Sequence, residues 1–121
     1  MTEFDYAPAP ESRAVVEIKP SYGLFIDGEF VDPISDDYLP TINPANEEHL
    51  AYFAVGGEAD VDAAVRAARR AFPKWSKMSG AERGKYLFRI ARILQERARE
   101  FAVLETLDNG KPIKESRDID I

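Results

Sequence analysis

Between residues 24 and 54, short apolar runs alternate with turn residues, a pattern typical of β-hairpins. Asp27-Gly28 separates two such runs, and this dipeptide is a strong hairpin signal because glycine accepts positive φ. Further along, residues 38–42 and 49–54 have strand character and are separated by turn-forming residues. The pattern therefore predicts two consecutive hairpins.

From residue 61 onward, apolar residues recur at helical spacing. The first helix has an apolar face, and Pro73 predicts its end because proline lacks the N–H that a helix needs. Ser79 and Glu82 have the spacing of a capping box, which predicts the start of a second helix. A third helix, either separate from the second or continuous with it, is predicted from near Arg99 through Leu107. The apolar face of the first helix is formed by Val61, Ala64, Val65, Ala68 and Phe72. That of the third helix is formed by Phe101, Ala102 and Leu104 or Glu105.

Composition narrows the class of protein. The 121 residues are enough for about one domain, and an apolar content of 45% with 31% charged residues is typical of soluble globular chains. The net charge of −6 argues against nucleic acid or anionic lipid as a partner. The acidic N-terminus and the lack of a long apolar run predict neither an export signal nor a membrane segment, so we expect a cytoplasmic protein.

Residues 1–20 contain scattered prolines and predict an extended or mobile arm. The three amphipathic helices need apolar partners, and two short hairpins offer little area to cover them. We therefore expect an excerpt of a larger fold whose sheet is supplied by residues beyond Ile121.

Side chains that could carry catalysis are scarce. The chain contains no cysteine, which excludes a thiolate nucleophile within it. The only histidine, His49, is interpreted as structural or solvent-facing. Lys111 is interpreted as a cation that complements the C-terminal end of a helix dipole.

Asp108 is less easily explained. It lies near the predicted C-terminal end of the third helix, where free carbonyls already carry partial negative charge. A bound cation would relieve this repulsion by binding the carboxylate and neighbouring carbonyl oxygens. The alternative is that hydrogen bonds from Asn109, Lys111 or local N–H groups satisfy the carboxylate.

The order and spacing of several motifs resemble those of NAD(P)-dependent aldehyde dehydrogenases. The resemblance runs from about Leu24 to Ile121. It rests on the hairpin residues 25–30, on Thr41-Ile42-Asn43-Pro44-Ala45, on residues 59–65, on Ala71-Phe72, Trp75 and Glu82-Arg83, and on residues 104–112.

This resemblance implies an α/β fold in which two β-hairpins and two or three α-helices form the N-terminal part of a Rossmann-like cofactor domain. On this basis residues 21–121 are an incomplete N-terminal part of that domain. The family uses NAD or NADP, a cysteine nucleophile, a general-base glutamate and an oxyanion asparagine. None of these catalytic residues has a counterpart here, so we assign no catalytic and no cofactor-binding residue, and we expect the chain alone to be inactive and not to bind NAD(P).

One family site does map onto this sequence. Several members bind a monovalent cation through a threonine, the backbone carbonyl of the next residue and an aspartate. The matching positions are Thr41, Ile42 and Asp108, which implies a partial K+ or Na+ site in the full-length context.

Two functional hypotheses follow. In the first, the chain opens an aldehyde dehydrogenase, which would act on a small-molecule aldehyde and form a homo-oligomer when full-length. In the second, it is a non-enzymatic interaction module that binds another subunit through exposed apolar helix faces.

Overall fold

The computed structural model describes residues 12–121. A 3₁₀ turn at Arg13–Val15 comes first, and a π-helical turn at Ser116–Asp120 comes last. The elements between them are β1 (Ser21–Tyr22), β2 (Leu24–Ile26), β3 (Glu29–Val31), β4 (Tyr38–Ile42), β5 (His49–Ala54), α1 (Glu58–Lys77), α2 (Gly80–Glu96), α3 (Ala98–Asn109) and α4 (Ile113–Glu115). The predicted α/β architecture of two hairpins and three main helices is confirmed.

The first hairpin pairs β2 with β3 in antiparallel register, with Ile26 opposite Glu29. Asp27 and Gly28 form its turn and have φ values of 55° and 89°. Positive φ at both positions defines a type I′ turn, whose twist matches that of the flanking strands. This is the turn that the Asp-Gly dipeptide predicts.

The second hairpin belongs to a three-stranded sheet of order β1-β5-β4. Strands β4 and β5 are antiparallel, as predicted. Strand β1 pairs with β5 in parallel, with Ser21 opposite Tyr52, and the Tyr52 N–H donates to the Pro20 carbonyl at 2.9 Å. The sequence pattern missed β1 because two residues are too few to show a period.

Part of the predicted N-terminal arm is held in place by polar contacts. Residues 1–11 of that arm lie outside the described range. Within residues 12–20, the Arg13 guanidinium forms an ion pair with Glu48 at 2.7 Å and lowers the pKa of that carboxyl. Within the described residues, Arg13 therefore contacts the turn between β4 and β5.

The prediction that Pro73 ends the first helix is wrong. Helix α1 continues through Pro73 to Lys77. The turn beyond the proline is stabilised by Trp75, whose ring packs against Tyr86 of α2 with centroids 5.5 Å apart, and by the Met78 N–H, which donates to the Trp75 carbonyl. This packing between helices offsets the loss of the hydrogen bond that the Pro73 nitrogen cannot donate.

The predicted start of α2 and end of α3 are both confirmed. The Glu82 N–H donates to the Ser79 hydroxyl at 3.2 Å, while the Ser79 N–H donates to the Glu82 carboxylate at 2.9 Å and holds its pKa below the usual value. Helix α3 ends at Gly110, whose φ is 79°. Helices α2 and α3 are separate, because Arg97 leaves helical geometry between them.

The described residues bury few large apolar side chains. The buried apolar residues are all small: Ala51, Ala67, Ala102 and Val103. In α3, Ala102 is buried as predicted, but Phe101 and Leu104 remain partly exposed. In α2, Leu87 and Phe88 are 64% and 68% exposed. None of the helices in residues 12–121 has the length and apolar character needed to cross a bilayer.

The exposed surface confirms how small the interior is. The chain exposes 9919 Å², whereas folded monomers of 13.6 kDa expose about 6,600 Å². The residues outside the described range can account for at most about 1,800 Å² of this difference. The described residues therefore leave more surface exposed than a folded monomer of this mass does.

Asp60 joins the hairpin region to the first helix. Its carboxylate is buried, with 5% exposed, and accepts the Ile34 N–H at 3.1 Å and the Gly57 N–H at 2.9 Å. One oxygen therefore holds the loop after β3, and the other caps the start of α1. A buried carboxylate satisfied by two backbone donors is costly to replace, because the donors lose their partners.

We expect Asp60→Asn to lower the free energy of unfolding by about 1–3 kcal/mol, since the amide group places an N–H against one of the two backbone donors. Urea unfolding followed by circular dichroism measures the effect. Asp62→Asn is the matched control, because Asp62 lies on the same helix but is exposed and paired only with Arg66. Equal effects of the two substitutions would contradict the role assigned to Asp60.

Candidate functional site

Two of the three predicted cation ligands are in direct contact. Thr41 lies on β4 and Asp108 in the last turn of α3, 67 residues apart in sequence. The Thr41 hydroxyl donates a hydrogen bond to Oδ1 of Asp108. The tertiary fold therefore places a hydroxyl oxygen and a carboxylate oxygen side by side on the surface.

The third predicted ligand, Ile42, follows Thr41 on the same strand. The register between β4 and β5 shifts between these two residues: Thr41 is opposite Ala51, and Ile42 is opposite His49. Such irregularities change the direction of backbone groups near the end of a strand. Thr41 and Ile42 thus lie where the hydrogen-bond ladder between β4 and β5 is interrupted.

Asn43 organises the turn that follows Ile42. Its side chain is buried, and its Oδ1 accepts the Ala45 N–H at 2.9 Å. Its backbone N–H donates to the Glu48 carbonyl, and its own carbonyl accepts the Glu47 N–H, both at 2.8 Å. The bond from the Ala45 N–H to the Asn43 side chain is typical of an asparagine in a tight turn, where the side-chain oxygen takes the place of a backbone carbonyl.

Pro44, at the tip of this turn, meets the C-terminal end of α3. A Cβ at position 110 would lie 2.7 Å from the Pro44 Cγ, so the approach requires glycine. Gly110 also has positive φ, and its N–H donates to the Thr106 carbonyl at 3.0 Å. The turn and the helix end therefore touch at two places: Pro44 with Gly110, and Thr41 with Asp108.

The basic residue nearest to Asp108 in sequence is engaged elsewhere. The Lys111 ammonium contacts Asp120 and lies 3.6 Å from Glu105. The hydrogen bond to Asp120 raises the pKa of Lys111. Lys111 therefore makes specific contacts with these two carboxylates, and its role as a dipole complement stays a prediction.

The contact between Thr41 and Asp108 brings together one hydroxyl oxygen and one carboxylate oxygen. Both are hard oxygen ligands of the kind that the predicted cation would need. Within residues 12–121, no three His, Cys, Asp or Glu side chains come together as a metal-binding group.

His49 is exposed, and its ring packs on Tyr52 with centroids 4.5 Å apart.

Sequence reasoning missed the role of two buried polar residues. Asn43 and Asp60 are both buried, although both are polar residues in segments that the pattern gives to a turn and to a helix start. The Asn-Pro dipeptide is a local signal for the turn at Asn43. Nothing local indicates that Asp60 accepts a hydrogen bond from Ile34, because that partner is 26 residues away.

Comparison with known proteins gives a consistent result. The aldehyde dehydrogenase family model matches residues 30–121. The chain is 49% identical over 104 residues to aminoaldehyde dehydrogenase 2 of Solanum lycopersicum, covering 84% of this chain and 21% of that protein. It is 46% identical over 102 residues to the chloroplastic betaine aldehyde dehydrogenase of Beta vulgaris, covering 80% of this chain and 20% of that protein. The chain thus spans about a fifth of the length of these relatives.

Solved structures agree with this result. The NAD+ complex of an aldehyde dehydrogenase from Bacillus cereus matches with a TM-score of 0.79 and 41% identity, over 87% of this chain and 23% of that one. An NAD-dependent aldehyde dehydrogenase from Sinorhizobium meliloti matches with a TM-score of 0.79 and 34% identity, over 93% of this chain and 23% of that one.

Proposed function

The chain belongs to the aldehyde dehydrogenase family, and we propose that it forms the N-terminal part of an enzyme that oxidises an aldehyde to a carboxylate. The net reaction consumes aldehyde, NAD(P)+ and water, and yields carboxylate, NAD(P)H and two protons. The uninterrupted family match over residues 30–121 carries this proposal.

The chain by itself is proposed to be inactive. It contains no cysteine, and it covers only about a fifth of its relatives. We assign the cofactor and the catalytic groups to the remaining four-fifths of the family polypeptide, with NAD or NADP as the oxidant. The complete enzyme is proposed to be a cytoplasmic homo-oligomer.

The part played by these residues is structural. Helix α2 presents Leu87, Phe88 and Ile90 to solvent, and α1 presents Val61 and Phe72. Burying a side chain of this kind contributes about 1.5–3 kcal/mol. We propose that these faces pack against the rest of the family polypeptide, so that its sheet supplies the apolar partner that the two hairpins lack.

In a joined polypeptide, this chain replaces the matching segment of the Bacillus cereus enzyme. We expect this joined polypeptide to form NADH when it is supplied with an aldehyde. The backbones already agree, so the replaced segment should dock without rearrangement. NADH formation with betaine aldehyde and with aminoaldehydes measures the activity. The control is the same enzyme lacking the segment, which should be inactive. A folded joined polypeptide without activity on any aldehyde would contradict the proposal.

We further propose that Thr41, the Ile42 carbonyl and Asp108 bind K+ or Na+ in the complete polypeptide, with further oxygens from outside this chain. The contact between Thr41 and Asp108 supports this assignment, because it unites two hard oxygen ligands from distant elements. A single carboxylate matches the charge of a monovalent ion.

We expect KCl to raise the melting temperature of the joined polypeptide more than tetramethylammonium chloride does at equal ionic strength, because only the smaller ion fits between the oxygens. Ligand binding at one hundred times its Kd stabilises by about 2.7 kcal/mol. Thr41→Val and Asp108→Asn should remove the difference, whereas Asp62→Asn should keep it. An identical response to both salts in the unsubstituted protein would exclude the site.

The exposed faces of α1 and α2 also favour a second candidate, a non-enzymatic module that binds another subunit. Here the partner is proposed to be a separate subunit that covers the exposed apolar helix faces. Both candidates require the free chain to bind an apolar dye strongly. A monomeric chain that melts cooperatively without binding such a dye, as followed by light scattering and fluorescence, would contradict both.

A further inference from the structure

The contact between Thr41 and Asp108 depends on how closely the turn after β4 approaches the end of α3. Asp108 is exposed and Thr41 is half-buried. An exposed hydrogen bond contributes little on its own and does not fix the distance between two elements. Another contact must therefore set the spacing between them.

The structure contains such a contact. The Pro44 ring lies against the backbone of Gly110. Pro44 is three residues after Thr41, and Gly110 is two residues after Asp108. The ring is rigid, and the glycine has no side chain, so the closest approach of the two segments is set by backbone and ring atoms alone. Asn43 holds Pro44 in place through its buried hydrogen bonds.

We infer that Pro44 and Gly110 are positioning residues for the Thr41–Asp108 pair, and that their contact keeps the hydroxyl and the carboxylate close enough to serve one cation together. This inference rests on the cation site proposed above. Neither residue touches the ion; each acts through the geometry of the pair. A bulkier residue at position 110 would push the turn away from the helix and separate the hydroxyl from the carboxylate.

Gly110→Asn separates this effect from backbone strain. Asparagine tolerates the left-handed conformation at Gly110, where φ is 79°, better than most residues do. Its Cβ would nevertheless lie 2.7 Å from the Pro44 Cγ. Pro44→Ala removes that Cγ and leaves the Pro44 Cβ, which lies 3.6 Å from the added Cβ, an ordinary contact distance. In the double variant, the asparagine side chain at position 110 therefore occupies the space that the Pro44 ring leaves, and the turn after β4 can again lie close to the end of α3.

The test is a K+ titration of the joined polypeptide that contains this full chain, followed by the melting temperature against tetramethylammonium at constant ionic strength. We expect Gly110→Asn to weaken the apparent K+ affinity about tenfold, Pro44→Ala to weaken it less, and the double variant to return close to the original value. Compensation between the two substitutions is the signature of a shared contact. A role in stability alone would lower the melting temperature without changing the K+ midpoint.

The failures of the two proposals are distinguishable. An unsubstituted protein with no K+-specific response overturns the cation site and this inference with it. A protein that responds to K+, but whose affinity is unchanged by Gly110→Asn, overturns the inference and leaves the site intact. A double variant that binds K+ no better than Gly110→Asn also overturns the inference, because the loss would then come from position 110 alone.

Discussion

A shortage of buried apolar surface governs the described part of this structure. Helices of this kind are ordinarily stabilised by burying one face against a neighbouring layer. Here the buried apolar side chains are three alanines and one valine, while most of the large ones on α1 and α2 face solvent. The arrangement of the elements must therefore depend on something other than a core of its own, either specific polar contacts or surfaces supplied from elsewhere in the polypeptide.

The polar contacts are placed at the junctions between elements. Asp60 joins the loop after β3 to the start of α1, and Asn43 shapes the turn after β4. Ser116, which is fully buried, accepts a hydrogen bond from the Thr106 hydroxyl and so links α3 to the final turn. Each of these bonds fixes geometry more than it adds stability, because net hydrogen-bond energies are small. They explain how the elements keep the relative positions seen in much longer solved relatives.

The same reasoning connects the fold to the proposed function. The family's chemistry is assigned to sequence outside this chain, so the contribution that we propose for these residues is to present apolar helix faces for packing and a pair of oxygens for a cation. Both contributions require an exact relation between hairpin and helix, which is what the contacts at Asp60 and at Pro44–Gly110 provide. The cation proposal and the packing proposal therefore depend on the same junctions, although they are tested by different measurements.

Local sequence was sufficient wherever a feature depends on neighbouring residues. The Asp27-Gly28 turn, the Ser79–Glu82 capping box and the helix end at Gly110 each arise from steric and hydrogen-bonding preferences within a few positions, and the structure confirms all three. The family resemblance also predicts that Thr41 and Asp108 belong to one site, and the two side chains are in contact. Local rules failed at Pro73, where the packing of Trp75 on Tyr86 outweighs the tendency of proline to end a helix.

Only the tertiary structure decided the features that join distant segments. The parallel pairing of β1 with β5, the burial of Asp60 beneath the loop at Ile34, and the meeting of Pro44 with Gly110 all involve residues far apart in sequence. No periodicity or dipeptide preference encodes such contacts, because their energy comes from partners that a local window does not contain. The sequence by itself therefore determined the elements and their ends, and the fold determined which side chains meet.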